Sequence, residues 1–477
     1  MASSRKSPKN SALPERVAAV LRRHVRRGDH LVAGLSGGID SVVLLDLLKR
    51  AARRHGFTLA AVHVNHQINP AAASWATFCR RLCRRLNVPL AVKKVELAHG
   101  NSLEATARAA RYAVYAQLRG DAVVLAHNLD DQAETVLLQL LRGAGVKGVS
   151  AMPEIRIGDR GMIIDAAPDL YGRRAAVLRK SNPQSSIFNP AILRPLLEVP
   201  RSEIEAYARA RRLDWIEDDS NLDTAYDRNF MRHRVLPVIA ERYPAYRQTL
   251  LRASRNFAEA AKLAARAAAA DGGCDDELLD LARLRGLPPL RVKNLLRHFL
   301  AHQGMVMPNA RQLEECARQI AQARPAARLA IRLGECELRS HAGALQIVRS
   351  VPVVEAAADF ERAWCAEKLW SLPELGGALA MVATRGDGMR ADLVRGHQVV
   401  VRLRRGGERL RPDARGPRRT LKNLLQEHGV PQWARKSLPL IYVDGVLACV
   451  PGVAIDAAFR AATGEPAIRP EWRPIRP

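Results

Sequence analysis

The sequence predicts an α/β fold, a doubly wound parallel sheet, followed by an all-α domain and a small α+β domain at the C-terminal end. Three observations carry that expectation. Short apolar runs alternate with amphipathic stretches of helical period between His30 and Leu141. An Ala-, Leu- and Arg-rich helical pattern fills the middle, and short alternating runs broken by glycine turns close the chain.

Taken in order, His30 to Leu35 reads as a strand, a Gly-Gly turn follows, and Ser41 to Leu48 continues as a strongly apolar helix. Leu59 to Val64, Leu90 to Val95 and Ala122 to Ala126 read as further strands, with helices at Ala73 to Leu86, Leu103 to Leu118 and Asp131 to Leu141. Strands alternating with helices imply right-handed crossovers and a parallel sheet covered on both faces. Periodicity fails between Gly143 and Pro195, so residues 155–190 are expected to form a loop insert. Ser202 and Glu205 have the spacing of a capping box for a helix reaching about Leu213. Tyr243 to Ala270 and Leu287 to Gln322 are helical in pattern. Beyond Gly386 come an alternating run Val399 to Leu403, a helix from Thr420 to His428, and two apolar runs, Leu440 to Val443 and Val446 to Val450, around Asp444-Gly445, a hairpin signal. The expected division is a basic flexible tail over 1–24, the α/β domain over 25–222, a helical domain over 223–350, a linker over 351–385 and the α+β domain over 386–477.

The chain has 477 residues, 48% of them hydrophobic, enough for two or three separate cores. Lysine and arginine outnumber aspartate and glutamate by 75 to 48, a net charge of +27. Such an excess favours a polyanionic partner, because neutralising phosphates releases condensed counterions. A general arginine bias would give the same charge without an RNA partner, so charge alone does not decide. The seven cysteines are scattered and odd in number, unlike a disulfide framework or a zinc-ligand set. No signal-peptide core opens the sequence, and no uncharged stretch approaches the ~20 residues that span a bilayer, so a cytoplasmic protein with no membrane partner is expected.

Ser36-Gly37-Gly38-Ile39-Asp40-Ser41 ends the first strand and opens the first helix, where an open parallel sheet binds its ligand. Gly37 and Gly38 allow close backbone approach to a phosphate, Ser36 and Ser41 add hydroxyl donors, and the helix start contributes positive partial charge. Asp40 is placed to hold Mg2+ on the phosphates. The lysine of the Walker loop is missing, which disfavours transfer of the γ-phosphate. The structural alternative is a glycine turn with a serine cap.

This S-G-G-x-D-S loop resembles the pyrophosphatase loop (PP-loop) of the N-type ATP pyrophosphatases, whose fold is adenine nucleotide α-hydrolase-like and which cut ATP between its α and β phosphates. Further segments narrow the resemblance to the tRNA(Ile)-lysidine synthase family. They are His63-Val64-Asn65-His66, Glu104 to Tyr112, Ala126 to Thr135 (A-H-N-L-D-D-Q-A-E-T), Arg142-Gly143-Ala144-Gly145, Arg194-Pro195-Leu196-Leu197, Asp219-Ser220-Asn221 and Arg228 to His233. Arg405-Gly406-Gly407-Glu408-Arg409, Leu421-Lys422 and Pro439-Leu440 are similar to that family's C-terminal domain. The resemblance covers both ends, with a weaker middle.

The resemblance implies adenylation of the wobble cytidine of a tRNA(Ile) with CAU anticodon on its C2 oxygen, then displacement of AMP by the side-chain amine of free L-lysine. The cofactors it implies are ATP and Mg2+, and a homodimer is compatible with it. Lysine's amine, with an ordinary pKa of ~10.4, must lose its proton before attack, so acidic groups are needed near the loop. By resemblance Asp40 sits on the metal, and His127 and Asp131 surround the reacting base and lysine; Asn65 and His66 end the second strand, a place to meet ATP beside Ile39 of the loop. His63, deeper in its strand, is expected to be packed. Asp130 or Asp131 with Glu134 would also serve as an ordinary helix start, and Glu104 with Arg108 as a surface pair. Arg111, Arg194, Arg228, Asn229 and Arg232 are candidates for substrate or tRNA contact. So are Arg405, Arg409, Arg418, Arg419 and Lys422 in a basic run that suits phosphates. Trp433 reads as core.

Three rivals are weighed. A tRNA-thiolating enzyme on a related domain would use cysteines, yet none lies in the quoted motifs. A glutaminase-fused synthetase would need a cysteine near the start, where Ala2 stands. A noncatalytic tRNA-binding module would leave the intact loop and acidic pair without purpose.

Overall fold

The computed structural model describes residues 12–95, 103–156, 190–272, 278–324, 328–334, 336–349 and 360–474. The chain divides into two compact units, Met1–Arg266 and Ala267–Pro477.

The first unit opens with α1 (Leu13–His24), followed by β1 (His30–Gly34), α2 (Ile39–His55), β2 (Thr58–Asn65), α3 (Ala72–Leu86), β3 (Leu90–Lys94), α4 (Leu103–Ala116), β4 (Ala122–Val124), α5 (Leu129–Leu141) and the short α6 (Val146–Val149). Then come β5 (Ile155–Arg156), β6 (Ala191–Leu193), α7 (Arg201–Ala210), α8 (Asp227–Phe230), a wide π turn over Met231–Val235, α9 (Leu236–Arg242) and α10 (Tyr246–Ala270), whose last residues, from Ala267, belong to the second unit. The sheet order is β3-β2-β1-β4-β6-β5, parallel except for β5. The central strands β1 and β4 are apolar because helices cover both faces. Helix α2 is buried almost all round, through Ile39, Val42, Val43, Leu44, Leu45, Leu47 and Leu48, and stops at Gly56, whose φ of 73° an L side chain rarely adopts. Strand order reverses about β1, so the crevice at the carboxyl ends of β1 and β4 is the switch point where such sheets bind ligands.

Several expectations need correction. Residues 13–24 are no flexible tail: Leu13, Val17, Val20 and Leu21 recur at helical spacing and join the main core, and His24 bonds Glu154 at 2.7 Å. The flanking basic residues concealed that stripe. The expected capping box at Ser202 and Glu205 does not form; α7 starts at Arg201 after Pro200, without a side-chain cap. Helix α7 packs on α2, with the Tyr207 hydroxyl donating to Asp46 at 2.7 Å. The helical stretch does not begin a separate domain at 223, because Met231, Leu236 and Tyr246 share a core with Ala133 of α5. Of the insert expected over 155–190, only its first two residues and Pro190 lie within the described residues.

The second unit corrects the all-α reading of the middle. Helices Leu281–Gly286, Pro289–His302 and Ala310–Gln322 are there, but they pack on a four-stranded antiparallel sheet of Leu278–Asp280, Ala344–Arg349, Cys336–His341 and Ala330–Leu333. These strands are only three to six residues long, and Leu278–Asp280 is set apart from the other three by the helices, so no long run of period two betrays them. Nor is 351–385 a linker throughout. Glu361–Ala363, Leu369–Leu372 and Gly377–Arg385 are strands of the C-terminal sheets, with Trp370, Leu372, Leu379 and Met381 in their core. The hairpin forms as expected at Asp444-Gly445, whose φ values of 46° and 78° suit a tight turn. No helix among the described residues is long and apolar enough to cross a membrane. The described cysteines are free thiols.

Leu21→Ala tests the packed α1. Leu21 is fully buried in the main core, so truncation should cost about 2–5 kcal/mol, read by denaturant unfolding; a flexible tail would show no loss.

Candidate active site

The loop between β1 and α2 is organised by its own hydroxyls. Ser41 donates to the Gly38 carbonyl at 2.8 Å, accepts from the Gly37 N–H at 3.2 Å and lies 3.1 Å from the Ser36 hydroxyl. Gly37 has a φ of 96°, and a Cβ there would lie 2.6 Å from Cδ1 of Ile216, whose N–H donates to the Gly37 carbonyl at 3.0 Å. Only glycine fits. At Gly38 the φ is ordinary; it caps α2 without any side-chain cap, so the first-turn donors of α2 face outward with the positive end of the helix. Backbone donors in this arrangement suit an anion.

Asp40 stands in this first turn. Its Oδ1 accepts from Asn128 Nδ2 at 3.1 Å, and Arg201 Nη1 is 4.0 Å from Oδ2. Burial pushes the Asp40 carboxyl up; Arg201 pulls it down and Asp131 adds to the rise. Asn128, fully buried, is the N-cap of α5: its Oδ1 accepts from the N–H groups of Asp130 and Asp131, and Asp131 Oδ2 accepts in return from the Asn128 N–H at 3.0 Å. The helix-start reading of this acidic segment is therefore realised, through Asn128 rather than Glu134.

The remaining acidic oxygens meet arginines from downstream. Asp131 Oδ1 lies 3.3 Å from Arg232, and the fully buried Glu134 takes Arg232 Nε at 2.7 Å and Arg228 Nε at 3.2 Å. Burial raises the Glu134 carboxyl despite these cations. Arg228 also donates to the Thr135 hydroxyl at 3.1 Å, and Asp130 receives Arg247 and the Arg201 N–H. The π turn carries Arg232, consistent with the use of such widened turns at functional sites.

A second zone lies at the ends of β2, β4 and β6. His127 follows β4; its Nδ1 is buried and has no hydrogen-bond partner among the described residues. Burial, then Arg194, Arg228, Arg108 and Arg111, hold its pKa well below the ordinary 6.5, so the ring is neutral. His66, after β2, is pushed down to about 4 by burial and by Arg111, whose guanidinium lies 3.5 Å from His66 Nε2. Arg194 is buried, donating to the Pro153 carbonyl at 2.9 Å and the Tyr112 hydroxyl at 3.4 Å, with Arg108 and Arg156 over the Tyr112 ring.

The sequence candidates thus fall into distinct places. Ser36, Gly37, Gly38, Ile39, Asp40, Ser41, Asp131, Arg228 and Arg232 gather at the switch point, and His66, Arg111, His127 and Arg194 form the cationic zone. Asn65 spends its amide on the turn after β2, accepting from the Gln67 N–H and donating to the Ala72 carbonyl, and Asn229 donates to the Asp223 carbonyl. His63 is packed, bonding the Leu35 carbonyl at 2.9 Å. The side chains of Glu104, Ser220 and Asn221 lie outside the described residues. In the second unit Arg409, Arg418 and Lys422 are exposed, whereas Arg419 pairs with Glu427, and Glu408 accepts from the N–H groups of Arg405 and Gly406. Trp433 is half-buried beneath Arg339 rather than core. Sequence reasoning missed Asn128, Glu134, Arg201 and Arg247. The three-residue step from Asp131 to Glu134, one helix face, was the available signal.

Comparison with known proteins adds a family. Residues 10–239 match a PP-loop domain, 279–346 a TilS substrate binding domain and 399–472 a TilS substrate C-terminal domain. A tRNA(Ile)-lysidine synthase from Nitrosomonas europaea is 39% identical over 95% of this chain and 94% of its own length. Its counterparts from Azoarcus sp. and Coxiella burnetii are 38% and 34% identical, covering 93% and 89% of this chain and 92% and 89% of theirs. Among solved structures, a U34-tRNA thiolase from Methanococcus maripaludis with its [4Fe-4S] cluster is similar at 16% identity and a TM-score of 0.41, over 52% of this chain and 78% of that one, too loose a likeness to bear on chemistry.

The low His66 pKa has a direct readout. In an acid titration followed by NMR of the ring carbons, His66 should protonate near pH 4, and Arg111→Ala should raise its midpoint. Because the folded value lies below the unfolded 6.5, the unfolded chain takes this proton first, so stability falls as pH drops from 6.5 towards 4, and His66→Asn should flatten that fall. A His66 midpoint near 6.5 would refute the packing described.

Proposed function

The chain belongs to the tRNA(Ile)-lysidine synthase family, and from that premise we propose how its residues divide the work. It is an ATP-dependent ligase that joins lysine to C2 of the wobble cytidine of tRNA(Ile) with a CAU anticodon, giving lysidine, AMP and pyrophosphate. The observation that carries the assignment of roles is the junction of Asp40, Asn128 and Asp131 beside the uncapped start of α2.

The α2 start and the hydroxyls of Ser36 and Ser41 hold the phosphates of ATP. Asp40 and Asp131 fit Mg2+: both offer hard oxygen, and each loses repulsion from the other when a cation joins them. No cluster of three or more acidic, His or Cys groups among the described residues makes a complete cage, which suits an ion that keeps waters and substrate phosphates in its shell. Bound there, Mg2+ would offset charge on the phosphates as pyrophosphate leaves. The C2 oxygen of cytidine attacks the α-phosphorus as the bond to the β-phosphate oxygen breaks and pyrophosphate leaves. The lysine amine, having given up its ammonium proton, then attacks C2, and the C2–O bond breaks so that AMP leaves with that oxygen and the nitrogen's surplus proton passes to solvent. Asp131 orients that amine and accepts from its ammonium form. Neutral His127 serves the base as a hydrogen-bond partner, not as a cation. Arg111 supplies positive charge for RNA phosphate or the lysine carboxylate, buried Arg194 adds to that potential from behind, and the exposed Arg409, Arg418 and Lys422, together with Arg405, meet tRNA phosphates. Cys79 and Cys83 are buried, with thiols pushed up to about 12 and about 11, poor material for thiolation.

The test is to incubate the protein with ATP, Mg2+, lysine and a CAU-anticodon tRNA(Ile) transcript, then weigh the nucleosides. A cytidine heavier by one lysine residue should appear, and should vanish without lysine or with Asp40→Ala. Release of AMP with cytidine unchanged would sink the assignment of the nucleophile while leaving the nucleotide chemistry intact. Glu134→Gln should lower turnover while sparing ATP binding, since Glu134 acts through Arg228 and Arg232.

A further inference from the structure

Helix α8 presents two faces. Arg228 turns inward to Thr135 and Glu134. Tyr226 and Phe230 stand four residues apart, with the Phe230 N–H on the Tyr226 carbonyl at 2.9 Å, so they share a face. Phe230, two residues from Arg228, lies about 200° round the helix from it, away from the carboxylates, and Tyr226 at the N-cap is exposed beside it. Both rings are exposed, Tyr226 at 37% and Phe230 at 49%, and Leu222 just before them at 69%. Downstream, Arg234 and Arg242 are exposed with no carboxylate partner among the described residues.

We propose that Tyr226 and Phe230 form a stacking platform for an unpaired base flanking the cytidine that is modified. The inference rests on the tRNA(Ile)-lysidine reading and deepens it. A base whose C2 oxygen is to meet ATP must leave the stack of its loop, and its neighbour then loses a stacking partner. An aromatic face restores one, and single-stranded RNA is recognised by just this pairing of rings with cations. The platform lies on the other side of α8 from the carboxylate that Arg228 contacts, so one RNA loop can meet both. A protein partner is disfavoured by the cations at Arg234 and Arg242, which would need carboxylates opposite them.

The experiment measures binding of a CAU anticodon stem-loop RNA to the full chain by fluorescence anisotropy, with sedimentation in parallel. Phe230→Ala and Tyr226→Ala should each weaken binding at least about fivefold. Phe230→Trp should keep the affinity, Phe230→Leu should lose it, and the KM for ATP should not move, since neither ring touches the ATP loop. Unchanged affinity in both alanine variants overturns the platform, and so does a leucine variant as good as phenylalanine, which would make the contact apolar rather than stacked. Loss of self-association without loss of RNA affinity assigns the face to a second copy and also overturns it. RNA bound through Phe230 without any lysidine formed would defeat the functional reading and leave the platform standing.

Discussion

One buried amide sets the geometry of the centre. Asn128 Oδ1 takes two backbone N–H groups of α5, so its Nδ2 can only face the other way, onto Asp40. Reversing the amide would set its NH2 against two donors and leave the Asp40 carboxylate without one. The loops after β1 and β4 are therefore locked together at the place where strand order reverses. The backbone donors at the start of α2 and the acidic side chains come to one crevice because a single side chain is shared between them.

The burial of Glu134 extends this constraint downstream. A carboxylate withdrawn fully from water is costly unless paired, and removing one partner of such a pair is strongly destabilising. Arg228 and Arg232 answer it, and Arg247 answers Asp130, so three points beyond residue 226 are tied to α5 by charge as well as by the shared core of Ala133, Met231 and Tyr246. This is why the helical stretch folds with the α/β unit. The same pairing sorts the site: arginines that meet carboxylates close the acidic centre, while Arg108, Arg111 and Arg194 stay together around His127 and Tyr112.

Much of the first unit is legible because its signals are local. Strands β1, β2 and β4 are apolar runs next to turns, and Asp444-Gly445 is a two-residue hairpin by its own chemistry. Less legible are elements whose identity depends on distant partners. Helix α1 hides four core residues among arginines, and Leu369–Leu372 becomes a strand only against Gly377–Arg385. The same divide runs through the candidate site. Motif residues at Ser36 to Ser41 stand in one loop, whereas Glu134 acquires its environment from residues nearly a hundred positions away, and Asn65 proves to serve its own turn.

The cationic zone has a further physical consequence. His66 and His127 are neutral partly because guanidinium groups crowd them, and the repulsion that keeps protons off the rings is the same positive potential that would attract a polyanion. Phosphate arriving near Arg108, Arg111 or Arg194 offsets that potential and makes protonation of either ring less costly. By linkage the effect is reciprocal: whatever favours the imidazolium also favours the bound anion. Burial, the first cause of both shifts, persists when the anion is bound, so the rings move towards their ordinary value without reaching it. On the proposed reading, a site holding RNA phosphate beside a reacting base thus keeps neutral hydrogen-bonding rings and fixed positive charge side by side, because burial rather than charge dominates the imidazoles.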